Sequence, residues 1–508
     1  MATNALTRPI PTPAKSDHRW LVLVVVSIAQ LMVVLDATIV NIALPSAQAA
    51  LRFDNSERQW VVTAYALAFG SLLLLGGRVG DIVGRKRTFL IALVAFAAAS
   101  ALGGASPSFA ILVVARTLQG AAGAMLAPAA LGTLVTTFHN PKDRGKAFGV
   151  FGTVAVGGGA VGLILGGILT QYLSWRWCMY VNVLFAAAAV VGALVYMTEV
   201  KPSIRPRIDL VGTVLAALGL FGVVFGFAQA ESDGWGSSVT MVSLASGVAL
   251  LVAFVRVEQR VVQPLLPLRV VANRSRGMAF AAVGIAGLAM FGLFLFLTYY
   301  LQLVKHFSPV TSGLAFLPMI ACIMISSNTS NIVTLPRFGP RIVITTGMVT
   351  GFLGLGYLSR INMHSSYTGG VLPALILMGL AMGMVMAPSM NTATAGVQPR
   401  DSGVAAALVS TMQQVGGSIG TAVMSTIAAS VTTSYAGGHA PVRGFDAVAA
   451  THGYATVFLA SALVFAAGGV LAAMLFPSKA RLAAMRESVS SGATTVIAKP
   501  DTISTIDV

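Results

Sequence analysis

Apolar residues run through this chain in long stretches, and most polar positions fall between them. A helix crossing a bilayer needs about 20 apolar residues. At that length the pattern predicts fourteen spans, at about 20–44, 57–77, 86–105, 109–133, 146–171, 175–197, 208–229, 238–257, 278–304, 312–334, 341–359, 369–390, 402–430 and 453–476. An even number returns the chain to the side on which it began. Two blocks of six flank the pair at 208–257. The expected organisation is a polar tail at 1–19, a six-helix bundle at 20–197 and a linker with two extra helices at 198–276. A second six-helix bundle follows at 277–476, then a Ser- and Thr-rich disordered tail at 477–508. Both blocks carry a Gly-Arg basic turn between their second and third spans, GDIVGRKR at 80–87 and RFGPR at 337–341. Both have a glycine-rich fifth span, GGGAVGLILGG at 157–167 and QQVGGSIG at 413–420. A weak internal repeat of this kind points to a two-halved transporter.

Composition agrees. Hydrophobic residues make up 56% of the 508 and charged residues 9%, against about 25% charged in soluble domains. The fold class is therefore all-α integral membrane. The first apolar run is too long for a signal-peptide core of about 7–15 residues, so an uncleaved first span is expected. The net charge of +16 could suggest nucleic acid, but its distribution does not. With the N-terminus inside, cytoplasmic segments hold 25 Lys and Arg against 6 outside, and Arg116 is left within a span. That bias sets topology, with both termini cytoplasmic in a multi-pass plasma-membrane protein. Cys178 and Cys322 lie in apolar runs without metal or disulfide spacing.

Candidate chemistry is sparse. Asp36 is the single charge in WLVLVVVSIAQLMVVLDATIVNIAL, residues 20–44. A carboxylate at bilayer depth costs about 2.5–3.5 kcal/mol on insertion scales and marks a functional site by default. It lies about 24 Å from Trp20 at about 1.5 Å per residue, in the outer half of the core. Burial raises a carboxylate's pKa and a nearby cation lowers it, so a site whose surroundings alternate can collect a proton outside and release it inside. A purely structural hydrogen bond, to Asn41 or to a neighbouring helix, is the alternative. Arg116 is the one cation deep in a span and needs a partner or a water path. Coupling to Asp36 and a tie to backbone both stay open, and Gln119 shares its helix face. Gly77, Asp81, Gly84, Arg85 and Arg87 form a tight basic loop in which Asp81 can pair with the other half and gate the cytoplasmic side. Gly158, Gly162, Gly166 and Gly167 form a flat helix face along which the halves can slide or seal. Trp60, Tyr65, Gln119, Phe291, Tyr299, Tyr300, Gln302 and Gln414 are candidates for an apolar cavity with few polar groups.

Several segments together resemble the fourteen-helix drug:proton antiporters of the major facilitator superfamily. They are LDATIVNIALP (35–45), QWVVTAYAL (59–67), GGRVGDIVGRKR (76–87), ARTLQGAAGAMLAP (115–128) and WRWCMYVNV (175–183). In the second half, YYLQLV (299–304), SPVTSGLAFLP (308–318) and QQVGGSIGTAV (413–423) add to it. The resemblance implies the major facilitator fold, export driven by proton entry, alternating access of two bundles, and a fourth-span arginine that takes part in proton transfer. The chain departs from the family at Leu163, where proline is usual, at Gln413 (arginine), at Leu184 (proline) and at His306 (glycine). Pro336 stands in the second-half loop where the first half has Asp81.

The resulting expectation is a monomeric, proton-coupled exporter of amphipathic small molecules such as antibiotics or toxic organics, with a lipophilic substrate and membrane lipid as its partners. No GxxxxGK[ST] loop is present, so neither ATP nor any other cofactor is expected, and the proton is the coupling ion. No catalytic motif, metal site or nucleic-acid partner is indicated. A proton-coupled uptake symporter of the same fold and a non-transporting membrane sensor are the alternatives.

Overall fold

In hydrocarbon a helix satisfies its backbone hydrogen bonds within itself. The computed structural model of the chain is helical throughout, with no strand among the described residues. The structure describes residues 18–54, 57–138, 140–199, 209–261, 264–395, 397, 402–438 and 445–477. The expected disordered tail falls almost wholly outside them.

The first half contains α1 (Arg19–Leu51), α2 (Arg58–Val83), α3 (Arg85–Gly104), α4 (Phe109–Thr137), α5 (Pro141–Tyr172) and α6 (Trp177–Tyr196). The extra pair is α7 (Leu210–Asp233) and α8 (Ser238–Glu258), followed by the single turn α9 (Leu268–Val271). The second half contains α10 (Arg274–Tyr299), α11 (Pro309–Ala315), α12 (Leu317–Thr329), α13 (Leu335–Leu358), α14 (Leu372–Thr394), α15 (Ser402–Gly438) and α16 (Phe445–Leu475). π-helical turns at Tyr300–Val304, Ser330–Thr334 and Tyr367–Val371 extend α10, extend α12 and lead into α14. These helices overlie all fourteen predicted segments. Among the described residues, eleven stretches are long and apolar enough to cross a membrane, and one of them, Pro309–Leu358, holds 50 residues broken at Gly339. Large apolar side chains such as Val195, Ile332 and Met474 face outward, as a lipid-facing surface requires.

The expected loop at 77–87 is mostly helix. α2 continues to Val83, so Gly77 and Asp81 are helical and the turn is one residue, Gly84, at φ 103° and ψ 143°. The second half repeats this with Gly339 at φ 79° and ψ 168°. Both angles lie where a side chain is strained, so each basic turn requires glycine. A second repeat escaped the sequence reading. GAMLAP at 123–128 on α4 matches GMVMAP at 383–388 on α14. In that register Arg116 corresponds to Ile376, so the half-to-half likeness does not extend to the embedded cation.

The end of the molecule carrying Gly84 and Arg85 is the basic face. One apolar core joins Leu35–Leu44, Val61, Leu112 and Trp175 of the first half to α10, α14 and α16 of the second, away from that face. A second core, built on Val22–Val33, Phe89–Phe96, Leu126–Phe138 and Ala186–Met197, fills the first half toward the basic face, with Ala407 of α15 packed against it. Side-chain hydrogen bonds join the halves at the opposite face. There Tyr299 Oη donates to Gln48 Oε1 at 2.7 Å, Gln302 Nε2 to the Ile42 carbonyl at 3.1 Å, and the Val310 amide to Gln171 Oε1 at 3.3 Å. Helix α7 packs on α8 and also on α2 and α15, so the extra pair bridges the two halves from the side.

Candidate functional site

Asp36 lies at mid-length in α1, fully buried. Its carboxylate takes three hydrogen bonds from two other helices. Arg116 Nη1 on α4 lies 2.6 Å from Oδ2, while Oδ1 accepts from Gln119 Nε2 on α4 at 3.1 Å and Asn182 Nδ2 on α6 at 2.7 Å. Arg116 also donates from Nη1 to Gln119 Oε1 at 2.9 Å and from Nε to the Val61 carbonyl of α2 at 3.0 Å. Gln119 donates on to Ser100 Oγ of α3 at 2.7 Å. One carboxylate, one guanidinium and the Gln119 amide thus tie together five helices of the first half.

Small residues make this convergence possible. A Cβ at Gly120 would overlap the Tyr65 carbonyl, and one at Gly123 would press on the Phe69 ring at 3.0 Å. α2 therefore lies close on α4, which brings the Tyr65 ring to 4.3 Å from Arg116 Cζ, within cation–π range. The Tyr65 hydroxyl and Asn182 Oδ1 are buried without a protein hydrogen-bond partner. Such atoms call for an explanation in a native interior.

The two open readings of Arg116 coexist in the geometry, since it holds both a backbone carbonyl and Asp36. Asn41 is not Asp36's partner; it donates to the Ala37 carbonyl at 2.9 Å. The sequence reading passed over Asn182 and Ser100. A lone amide in the apolar VNV of the sixth span was the available signal for the first. Arg58 begins α2 and is buried, with Cζ 4.2 Å from the Tyr299 ring centroid and 5.5 Å from that of Phe296. Glu258, a buried carboxylate, closes α8 and accepts from the Leu265 and Leu266 amides at 3.1 Å each. It anchors the linker rather than joining the Asp36 network.

The expected gating residues make the following contacts within the first half where they are described. Arg85 donates to the Gly132 carbonyl of α4, Lys86 to the Met197 carbonyl, and the Arg87 amide to Glu199 Oε2 at 3.2 Å. Gly77 faces Pro128 of α4. The pairing expected of the Asp81 carboxylate lies outside the described residues.

The glycine face of α5 needs correction. Added Cβ atoms at Gly158, Gly162 and Gly166 would press on Leu31, Thr38 and Ile39 of α1. These glycines close α5 onto α1 inside one bundle and form no sliding face between halves. Gly167 alone of the four meets the other half, at Pro309 and Val310 of α11. Beside it, Leu163 keeps α5 unbroken and puts its carbonyl against Gly313.

The expected cavity residues do not share one wall. The Trp60 ring faces Phe225 of α7 at 5.8 Å, and Phe291 covers Gly417 of α15. Tyr65 and Gln119 belong to the Asp36 network. Tyr299 and Gln302 join the halves, while Tyr300 Oη donates to the Asn362 carbonyl of its own half at 2.8 Å. Gln414 lies beside Gly70 of α2. Aromatic and amide residue types alone do not report which helix each side chain meets.

Residues 26–421 match the Major Facilitator Superfamily. The chain belongs to that superfamily. It is 46% identical over 468 residues to the puromycin resistance protein pur8 of Streptomyces alboniger, covering 92% of this chain and 93% of the relative. It is 37% identical over 476 residues to the cephamycin export protein CmcT of Amycolatopsis lactamdurans, covering 92% and 94%. Among solved structures it resembles the POT family transporter PepTSo, with a TM-score of 0.65 and 15% identity over 90% of this chain and 98% of that one. A bacterial homologue of the human lysosomal transporter Spinster, in an inward-facing and occupied conformation, gives a TM-score of 0.63 at 14% identity over 90% and 97%. At those identities the likeness is one of fold. The chain is a multi-pass membrane transporter and not an enzyme.

Proposed function

We propose that this protein exports lipophilic small molecules, antibiotics among them, in exchange for protons. The relatives named for puromycin resistance and cephamycin export support export, and the buried Asp36 network supports the proton. Carboxylate protonation and the Arg116 ion pair exclude each other. A proton on Asp36 cancels the charge that holds Arg116, and release of that proton restores it. Helices α1, α2, α4 and α6 meet around this one group, so its charge state bears on the packing of the whole first half.

Direction follows from topology. The lysine and arginine bias makes the basic face cytoplasmic, with both termini on that side. The bonds among Gln48, Ile42, Tyr299 and Gln302 then close the external side, the state that receives cargo from the cytoplasm or inner leaflet. The energy source is the proton gradient alone, the working unit one chain.

Susceptibility to a drug panel headed by puromycin tests this, in cells with the wild-type chain, the Asp36→Asn chain or neither. Wild type alone should protect, and protection should vanish when the proton gradient collapses. Protection that survives collapse of both membrane potential and pH gradient overturns proton coupling. Equal protection by Asp36→Asn removes Asp36 from the mechanism.

A further inference from the structure

The seam between α2 and α15 has an unusual lining for a contact between two bundles. At Gly70 the helices come close, since a Cβ there would lie 3.3 Å from Gln414 Cβ and 3.6 Å from Val415 Cγ2. The helices run in opposite directions across the membrane. Counting from that contact in steps of three and four keeps to one helix face. The steps give Ala66, Thr63 and Gln59 on α2, and Ser418, Thr421 and Ser425 on α15. Both series run from the middle of the molecule toward the face where the halves are sealed.

Gln59, Thr63 and Ser418 are 0% exposed, and Ser425 is 2% exposed. Both amide atoms of Gln59 and the hydroxyls of Thr63, Ser418 and Ser425 are buried without a protein hydrogen-bond partner. Thr421 alone turns back, donating to the Gly417 carbonyl at 2.9 Å. Leucine, valine or alanine at these positions would seal two bundles better, because buried polar groups without partners destabilise the contact they line. The penalty has a physical rationale if the same surface meets polar groups in another state. This seam is one that must part for cargo to leave on the far side.

We infer that the facing α2 and α15 surfaces form a transit path for the neutral hydrogen-bonding groups of the exported molecule, exposed when the external ends of the bundles separate. The inference rests on the export reading above. Amides and hydroxyls both donate and accept, and no charged residue stands at positions 59, 63, 66, 70, 414, 418, 421 or 425. The path therefore suits hydroxyl, carbonyl and amide groups on an amphipathic frame and gives no counter-charge to a bare ion. α7 closes its flank through the contact of Phe225 with Trp60, so cargo on this path leaves outward rather than sideways into lipid.

Single cysteines test it. Thr63→Cys and Ser425→Cys are placed in a chain carrying Cys178→Ser and Cys322→Ala, with Leu355→Cys in the second-half core as control. A membrane-impermeant maleimide is added outside living cells. Labelling at positions 63 and 425 should run at least tenfold faster than at 355, and saturating puromycin should slow it several-fold. Rates equal to the control, in variants that still confer resistance, overturn the proposal. In parallel, Gln59→Leu should raise KM for puromycin efflux at least fivefold with little change in maximal rate or surface amount, and Gln59→Asn should return most of it. Loss of maximal rate alone in Gln59→Leu, with KM unchanged, also overturns it. If the wild-type chain exports no drug, the export reading fails on its own, and outside labelling still reports whether the seam opens.

Discussion

Replacing Asp36 with asparagine keeps the side chain's shape and removes its charge. The carboxylate accepts from Arg116 at 2.6 Å, Asn182 at 2.7 Å and Gln119 at 3.1 Å. Asparagine has one oxygen to offer, and its amide nitrogen then points at a donor whichever way it turns. Arg116 keeps the Val61 carbonyl, Gln119 Oε1 and the Tyr65 ring, but it loses its counter-charge. Removing one partner of a buried pair costs about 3–5 kcal/mol. The contacts Arg116 retains place this case at the lower end, about 3 kcal/mol. At about 1.4 kcal/mol per tenfold, the externally sealed state loses roughly a hundredfold in population relative to states that hydrate Arg116. The assay uses purified protein in liposomes with labelled puromycin. Uphill transport driven by a pH gradient should be lost. Exchange of labelled for unlabelled drug without a gradient should persist within a few-fold, because it moves no net proton. Uphill transport at the wild-type rate refutes the coupling role. Loss of exchange along with uphill transport, in a protein of unchanged thermal stability, shows that Asp36 serves binding instead.

Three further outcomes follow from the geometry. His306 sits at φ 55° just past the end of the Tyr300–Val304 turn. A left-handed non-glycine residue costs roughly 1–2 kcal/mol, part of which glycine returns as chain entropy, so His306→Gly should raise the heat-inactivation midpoint; a lower midpoint contradicts the strain. Tyr299→Phe deletes the hydrogen bond to Gln48 but keeps the ring beside Arg58. A net loss of about 1 kcal/mol weakens the external seal, so maleimide should label the Ser425→Cys chain about fivefold faster from outside. Gly162→Val would overlap Thr38 and Leu35 of α1, and overpacking of this kind costs about 1–3 kcal/mol. Detergent-solubilised protein should melt earlier, and unchanged melting would mean that α5 and α1 separate freely.

The helical form and apolar character of the spans were legible along the chain, because a backbone in hydrocarbon must bond to itself within each segment. That Asp36 and Arg116 each need a partner was equally legible, since the cost of a charge at bilayer depth is set by its own span. So were the two basic turns, where Gly84 and Gly339 each take an angle that only glycine adopts easily. Partnership was not local. Asn182 reaches Asp36 across 146 positions of chain and Ser100 reaches Gln119 across 19, and no spacing rule links them. The α5 glycines read as a flat face, but a face does not name the helix it meets, and only packing turned three of them toward α1. Trp60 reads equally as cavity wall or as contact surface until α7 is placed beside it. The closed end of the molecule was likewise a tertiary decision. Both ends hold apolar residues in sequence, and only the docking of the two bundles decides which end shares a core. Sequence set what each segment must bury and which charge it can least tolerate; tertiary structure decided what it is buried against, because contacts between helices depend on azimuth and docking that one segment's composition does not contain.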